Sequence, residues 1–386
     1  MASSNGILSW KLRSAASRSS LGCNATKIDV DMFQNVDVAH ERIDCKTGPL
    51  EWKRGIFQSG KSAGVECLTI NTGAVEATIL PDRGMGLWKC WVSNFELGWR
   101  SPVVGPVHPS LVPVHDATGI GWLEGFDELL VRCGLHSNGA PEFNENGTVR
   151  YPLHGRIANL PAHELDVQVD VENGILDVVG VVSESRFLIY SLELKTRYRF
   201  RVGSPVIEVT DTVTNRLSKS GSMQLLYHIN IGDPIVDAGT TIHAPIHKMI
   251  PRDARAKEGI DTWNVCEAPV SGFQEQVYLI TPSANEQGWS EAMLSTADQS
   301  LGCSVQFDTR TLPILNVWKN TATREDGNVV GLEPATGFPN TRSIEEEQGR
   351  VVHLEGGESR SFRLNLVPLL NTNDVAQAKA RIDAIK

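Results

Sequence analysis

The chain has 386 residues, of which 41% are hydrophobic and 21% charged, an ordinary globular mixture able to bury a large core. Its formal net charge of −10 counts against a nucleic-acid or anionic-membrane partner, because phosphate surfaces would repel it. That charge leaves a neutral small molecule open.

In chain order, the segment 1–30 comes first. Met1 to Cys23 carries Lys11, Arg13, Arg18 and many serines but no continuous apolar stretch, so it reads as a leader or an edge segment. From residue 31 to 386 no linker or shift of composition appears, and a single domain is expected. The dominant signal there is alternation with period two, the mark of strands with one buried face. Gly64 to Leu80 reads as a hairpin turning at Asn71, Thr72 and Gly73. Gly98 to Tyr151 is rich in Gly, Pro, His and Asn, and reads as long loops with one short helix over Asp127 to Arg132. It would serve as a lid over a pocket or as the interface of a homodimer. From Glu164 the alternation becomes dense. ELDVQVDV, ILDVVGVVS, FLIYSLELKTRYRFR, PVIEVTDTVTN and SMQLLYHIN follow one another across short turns, among them Glu172-Asn173-Gly174 with its favoured Asn-Gly pair. Strands joined this closely pair antiparallel most economically. The tail Asn373 to Ile385 reads as a helix with Val375, Ala378, Ile382 and Ile385 on one face. The fold class expected is therefore mostly β, with few short helices.

Seven cysteines (Cys23, Cys45, Cys67, Cys90, Cys133, Cys266, Cys303) form no C-x-x-C pair and fit scattered thiols in a reducing, cytoplasmic setting. No apolar run approaches the roughly 20 residues of a membrane span. A G-x-S-x-G elbow, an H-E-x-x-H pair and a Walker loop are all missing from the sequence. Gly84-Met85-Gly86 lacks the third glycine of a dinucleotide loop, and Pro245 stands between His243 and His247, which spoils a helical metal pair. No cofactor or metal is expected.

Three segments carry chemistry. Leu153-His154-Gly155-Arg156 places an imidazole and a guanidinium two apart, on one face if the segment is a strand. Leu226-Tyr227-His228-Ile229-Asn230 ends an apolar strand with His228 and Asn230 on a shared face. Gly331-Leu332-Glu333-Pro334 sets a carboxylate after an apolar run and before a proline. Each alone also reads blandly, His228 as a core histidine and Glu333 as a solvated strand end. Their order, His154 then His228 then Glu333, resembles the aldose 1-epimerases (galactose mutarotase-like proteins), which carry L-H-G, then N-H-x-Y/W, then L-E-[TP]. Pro81-Asp82-Arg83-Gly84-Met85-Gly86, Gly125-Phe126-Asp127-Glu128, Arg132-Cys133-Gly134-Leu135 and Asn138-Gly139-Ala140-Pro141 look like a less characterised bacterial branch of that superfamily. The resemblance spans roughly residues 60 to 370. It departs where the mutarotases have L-H-G-G, here ending in Arg156, and where an aromatic follows the second His, here replaced by Ile229-Asn230.

The resemblance implies a large antiparallel β-sandwich and an isomerase that opens and recloses a monosaccharide ring at the anomeric carbon, with Glu333 as base and His228 as acid. Opposite charges across a small pocket would hold Glu333 ionised and His228 protonated. His154 and Arg156 would hold sugar hydroxyls or an acidic substituent, with Asn230 beside them. Arg83 and Lys319 are further basic candidates, and convergence of all three cations would favour an acidic sugar. A carbohydrate sensor without turnover, or a lyase or hydrolase on the same scaffold, stays open at this point, because fold does not fix function.

Overall fold

The period-two alternation is realised as two large antiparallel sheets. The computed structural model describes residues 7–13 and 35–385. One sheet has nine strands and contains the run Ala162–Asp170, Ile175–Arg186, Tyr190–Arg201 and Ile207–Asn215 as sequential neighbours. The expected hairpin at Asn173-Gly174 is present, with Gly174 at φ 61°, a conformation that glycine adopts without a steric penalty. The other sheet has thirteen strands, and its middle is the sequence of neighbours Gln276–Pro282, Ile314–Asn320, Val329–Ala335, Gly221–Ile231, Leu130–Leu135 and Gly86–Val92. Ile7–Arg13 adds an edge strand to the nine-stranded sheet; the other residues of the leader or edge segment 1–30 lie outside the described residues.

Two layers of apolar side chains flank the thirteen-stranded sheet. One face packs on the nine-stranded sheet through the main core, which includes Leu225, Tyr227, Ile229, Leu315, Val317 and Leu332. The opposite face carries a smaller cluster, including Val131, Cys133, Leu226, Ile314 and Ala335, roofed by Trp99, Trp122 and Phe126 from the loop region. Alternation thus sends odd and even residues of each central strand to two different buried places. The tail helix, Thr372–Asp383, buries Val375, Ala378 and Ile382, and Asn371 caps it by accepting from the Asn373 and Asp374 amides.

One expectation needs correction. No helix forms over Asp127 to Arg132; short 3-10 turns occupy Pro109–Leu111 and Gly121–Gly125, and Leu130–Leu135 is a strand inside the large sheet. All six of its residues are buried. A strand covered on both faces loses the alternation by which strands are recognised.

Six cysteines are described, all buried and none in a disulfide; Cys23 lies outside the described residues. Among the described residues, no helix is long and apolar enough to cross a membrane.

Candidate active site

His228 and Glu333 are cross-strand neighbours. The register pairs Ile229 with Leu332 and Leu226 with Ala335, so His228 and Glu333 stand opposite each other on the face turned away from the main core. Their side chains meet, Nε2 to Oε1, at 3.1 Å. Both are buried, at 5% and 3% exposure. Glu333 is not a solvated strand end, because Val329–Ala335 continues through Pro334 inside the sheet.

Asn230 fixes the imidazole. Its Nδ2 donates to the Glu128 carbonyl at 2.9 Å, leaving Oδ1 to accept from His228 Nδ1 at 2.6 Å. The Nδ1–H tautomer assigned by that contact turns the Nε2 lone pair toward Glu333. Asn230 is fully buried and acts through His228, as a positioning residue.

The electrostatics differ from the expected ion pair. Burial pushes the Glu333 carboxyl up to about 8, with the Glu275 charge adding to the effect. Burial likewise holds His228 down to about 3, with His154 the next contributor. Desolvation, which opposes either charge, outweighs their mutual attraction. Near neutral pH the pair therefore rests as carboxylic acid and neutral imidazole, holding one exchangeable proton across the 3.1 Å contact.

Gly331 leaves the pair its room. It faces Asn230 in the ladder, and a Cβ there would come within 2.8 Å of Glu333 Oε1 and 3.3 Å of His228 Cε1. Gly331→Ala is expected to displace the carboxylate and lower turnover by about tenfold or more, since small misplacements at a reacting centre are costly. Steady-state kinetics beside a melting curve would check this, a large loss of kcat with a near-native melting temperature being the expected pattern.

A cavity of about 350 Å³ opens over the pair. His154 lines it, with its ring 5.5 Å from that of His228. Its Nδ1 contacts the Asn138 carbonyl at 2.9 Å and so carries the proton, which leaves Nε2 to accept a hydrogen bond. Burial holds this imidazole down to about 4. His154 has φ 57°, a costly conformation for a non-glycine residue, maintained here by backbone bonds from its N–H to Gly139 and from the Gly134 N–H to its carbonyl.

Aromatic rings complete the walls: Trp122 lies 4.6 Å from His154, Phe126 5.0 Å and Trp318 5.2 Å from His228. At the mouth, Glu275 accepts from Trp318 Nε1 (2.7 Å) and from Arg252 (2.8 Å), and Arg252 also pairs with Asp253 (3.1 Å).

Three of the expected binding residues lie elsewhere. His154 and Gly155 both take positive φ, so the segment is a turn and not a strand; Arg156 leaves in another direction and lines two other cavities. Arg83 is buried against Glu128 (2.8 Å) and also donates to the Gly125 carbonyl (2.6 Å) and to Asn159. Lys319 shares its face with Val317, so it points into the interior and donates to the Val265 carbonyl at 2.6 Å. The convergence of cations on which an acidic substrate depended is absent from this cavity. Trp318, its neighbour on the opposite face, is the residue of that strand in the cavity.

The family model described as a domain of unknown function (DUF4432) matches residues 62–367. A solved structure of a candidate aldose 1-epimerase from Klebsiella pneumoniae is similar at 33% identity, with a TM-score of 0.91 over 98% of this chain and 96% of that one. A galactose mutarotase-like protein from Clostridium acetobutylicum is similar in fold, at 16% identity and a TM-score of 0.57 over 82% of this chain and 98% of the other. A candidate aldose 1-epimerase from Escherichia coli shares the fold at 16% identity, with a TM-score of 0.51 over 79% and 99% of the two chains. No curated protein matches the sequence.

Proposed function

The chain belongs to the DUF4432 family, within the aldose 1-epimerase-like β-sandwich proteins, and on that premise we propose that it interconverts the anomers of a neutral aldose by acid–base catalysis. The observation that carries this reading is the 3.1 Å contact between His228 and Glu333 at the floor of a cavity walled by aromatic rings. The anomeric hydroxyl oxygen and the ring oxygen of a pyranose are bonded to the same carbon. Two catalytic atoms in contact with each other can therefore reach both at hydrogen-bond distance.

With substrate bound, the shared proton sits on Nε2. The Glu333 carboxylate takes the proton of the C1 hydroxyl as His228 protonates the ring oxygen, and the bond between C1 and the ring oxygen breaks to give the open aldehyde. The pair is then carboxylic acid and neutral imidazole, the form that burial favours. Rotation about the C1–C2 bond presents the other face of the aldehyde, and closure reverses both transfers. Each cycle returns the single proton to its starting atom, so the chemistry needs no external acid or base. His154 Nε2 accepts from a sugar hydroxyl, and Trp318 and Phe126 lie against the C–H faces.

A neutral substrate agrees with a cavity whose nearest guanidinium, Arg252, already faces two carboxylates. A two-carboxylate hydrolase fits less well, because the second carboxylate, Glu275, is held by Arg252 and Trp318.

The test is anomerisation followed by NMR or polarimetry across a panel of neutral and acidic aldoses. Acceleration over buffer for at least one neutral aldose is expected, and none for any sugar would sink the reading. The pH profile follows from the one-proton requirement. Between about 3 and about 8 the pair holds one proton, and above about 8 it loses it. The kcat/KM of the free enzyme is expected to fall as pH rises through about 8, whereas a rate that climbs through that range would point to a lone carboxylate base.

A further inference from the structure

A second cavity, of about 410 Å³, shares a wall with the first. Leu153 and His154 of one turn line the catalytic cavity, while Pro152, Gly155 and Arg156 of the same turn line the second. This second space is cationic in a protein of net charge −10. Arg150, Arg156 and Arg186 line it. Arg150 pairs with Glu142 at 2.9 Å, but neither Arg156 nor Arg186 has a carboxylate within ion-pairing distance among the described residues. Arg342, buried behind the wall, is also without a carboxylate partner among the described residues; it donates to the His136 carbonyl and to Ser222 Oγ.

One carboxylate, Glu184, lines the cavity beside the three guanidinium groups. Glu184 is buried, accepts from the Leu135 amide at 2.6 Å and from the Tyr190 hydroxyl at 3.3 Å, and is itself raised above its ordinary range by burial. His136 registers the surplus. Burial, and then the charges of Arg342, Arg186, Arg150 and Arg156, hold its imidazole down to about 4. Beside the guanidinium groups stand flat rings: His136 stacks on Tyr190 at 4.1 Å and meets Tyr151 edge-on at 5.2 Å.

Guanidinium groups left without carboxylates at a concave, ring-lined surface are matched by a ligand that supplies the missing anion. We propose that this second cavity binds a small organic anion, a phosphate or carboxylate head on a polar body of monosaccharide size, with Arg156 and Arg186 gripping the head and the Tyr151 and Tyr190 rings bordering the body. The site is separate from the His228–Glu333 pair and does not depend on what that pair catalyses.

Calorimetric titration of the full chain with glucose 6-phosphate, glucuronate, inorganic phosphate and glucose tests it. One or both sugar anions are expected to bind, more weakly as salt is raised. The Arg156→Ala/Arg186→Ala double variant should bind them about tenfold or more weakly, while Glu333→Gln binds them as the parent does. Both arginines are partly or fully exposed, so the double variant should fold, which its melting curve checks. Arg186→Glu alone, on the exposed rim, should weaken the anions and leave glucose unaffected. The proposal fails if no anion binds better than glucose, or if the double variant binds anions undiminished. Inorganic phosphate binding as tightly as glucose 6-phosphate would remove the organic body from the claim and overturn it in that form.

Discussion

Glu333→Gln is expected to reduce the anomerisation rate by about two to four orders of magnitude, the usual contribution of a positioned general acid or base, while leaving the fold at least as stable as the parent. The second half of this expectation separates a catalytic role from a structural one. The amide nearly matches the neutral carboxylic acid in shape, and the neutral form is the one burial favours. Linkage gives the sign. A carboxyl raised from 4.5 to about 8 on folding loses stability as pH climbs between those values, because the folded chain holds a proton that the unfolded chain releases. Glutamine removes that cost. Urea unfolding at pH 8 should show an equal or higher midpoint for the variant, and NMR exchange between anomers should show the lost rate with binding kept. A variant that anomerises sugar as fast as the parent would take the carboxylate out of the mechanism.

The two halves of the His228–Glu333 pair were legible in the sequence because each sits in a short motif whose order matched a known pattern, and because strand parity places His228 and Asn230 together. Their contact was not legible: it depends on the register of Gly221–Ile231 against Val329–Ala335, two strands about a hundred residues apart. The charge states were read with the wrong sign, since attraction between the partners was weighed and desolvation was not. Arg83 failed as a site residue because its carboxylate, Glu128, arrives from 45 positions away. For Lys319 the signal was present. In a strand where Leu315 and Val317 face the main core, residue 319 follows them inward and Trp318 turns outward. Arg156 was read through a strand that left-handed backbone at His154 and Gly155 does not allow. Arg252 and Glu275 carried no local mark at all, because only the folded sheet brings their segments to the mouth of the cavity.

The same sheet depends on a buried ionic staple, and breaking it should produce the largest loss of stability. Arg132, on the strand that stands where a short helix was expected, reaches across to the nine-stranded sheet, where Asp211 meets it through Nε at 2.5 Å and Nη2 at 3.0 Å. Tyr227 donates to the same carboxylate at 2.9 Å, and Arg132 and Tyr198 both donate to the Met85 carbonyl. Burial opposes the guanidinium's charge, and the Asp211 carboxylate more than offsets it, so the group stays above its ordinary range. Asp211→Ala removes the counter-charge and leaves a guanidinium in the core with only the Met85 carbonyl and the Tyr198 hydroxyl as acceptors. The expected cost is about 3–5 kcal/mol, a large part of the 5–15 kcal/mol that holds a typical domain together, read as a lowered urea midpoint at unchanged slope. Arg132→Met/Asp211→Leu should be far less damaging than Asp211→Ala alone, since it removes both charges and keeps apolar volume. Tyr227 lies next to His228 on the same strand, so Asp211→Ala should also loosen the floor of the His228–Glu333 cavity and, on the proposed function, lower kcat with little change in KM. Equal stability of Asp211→Ala and the parent would show that solvent reaches Arg132 and that the two sheets are held by apolar packing alone.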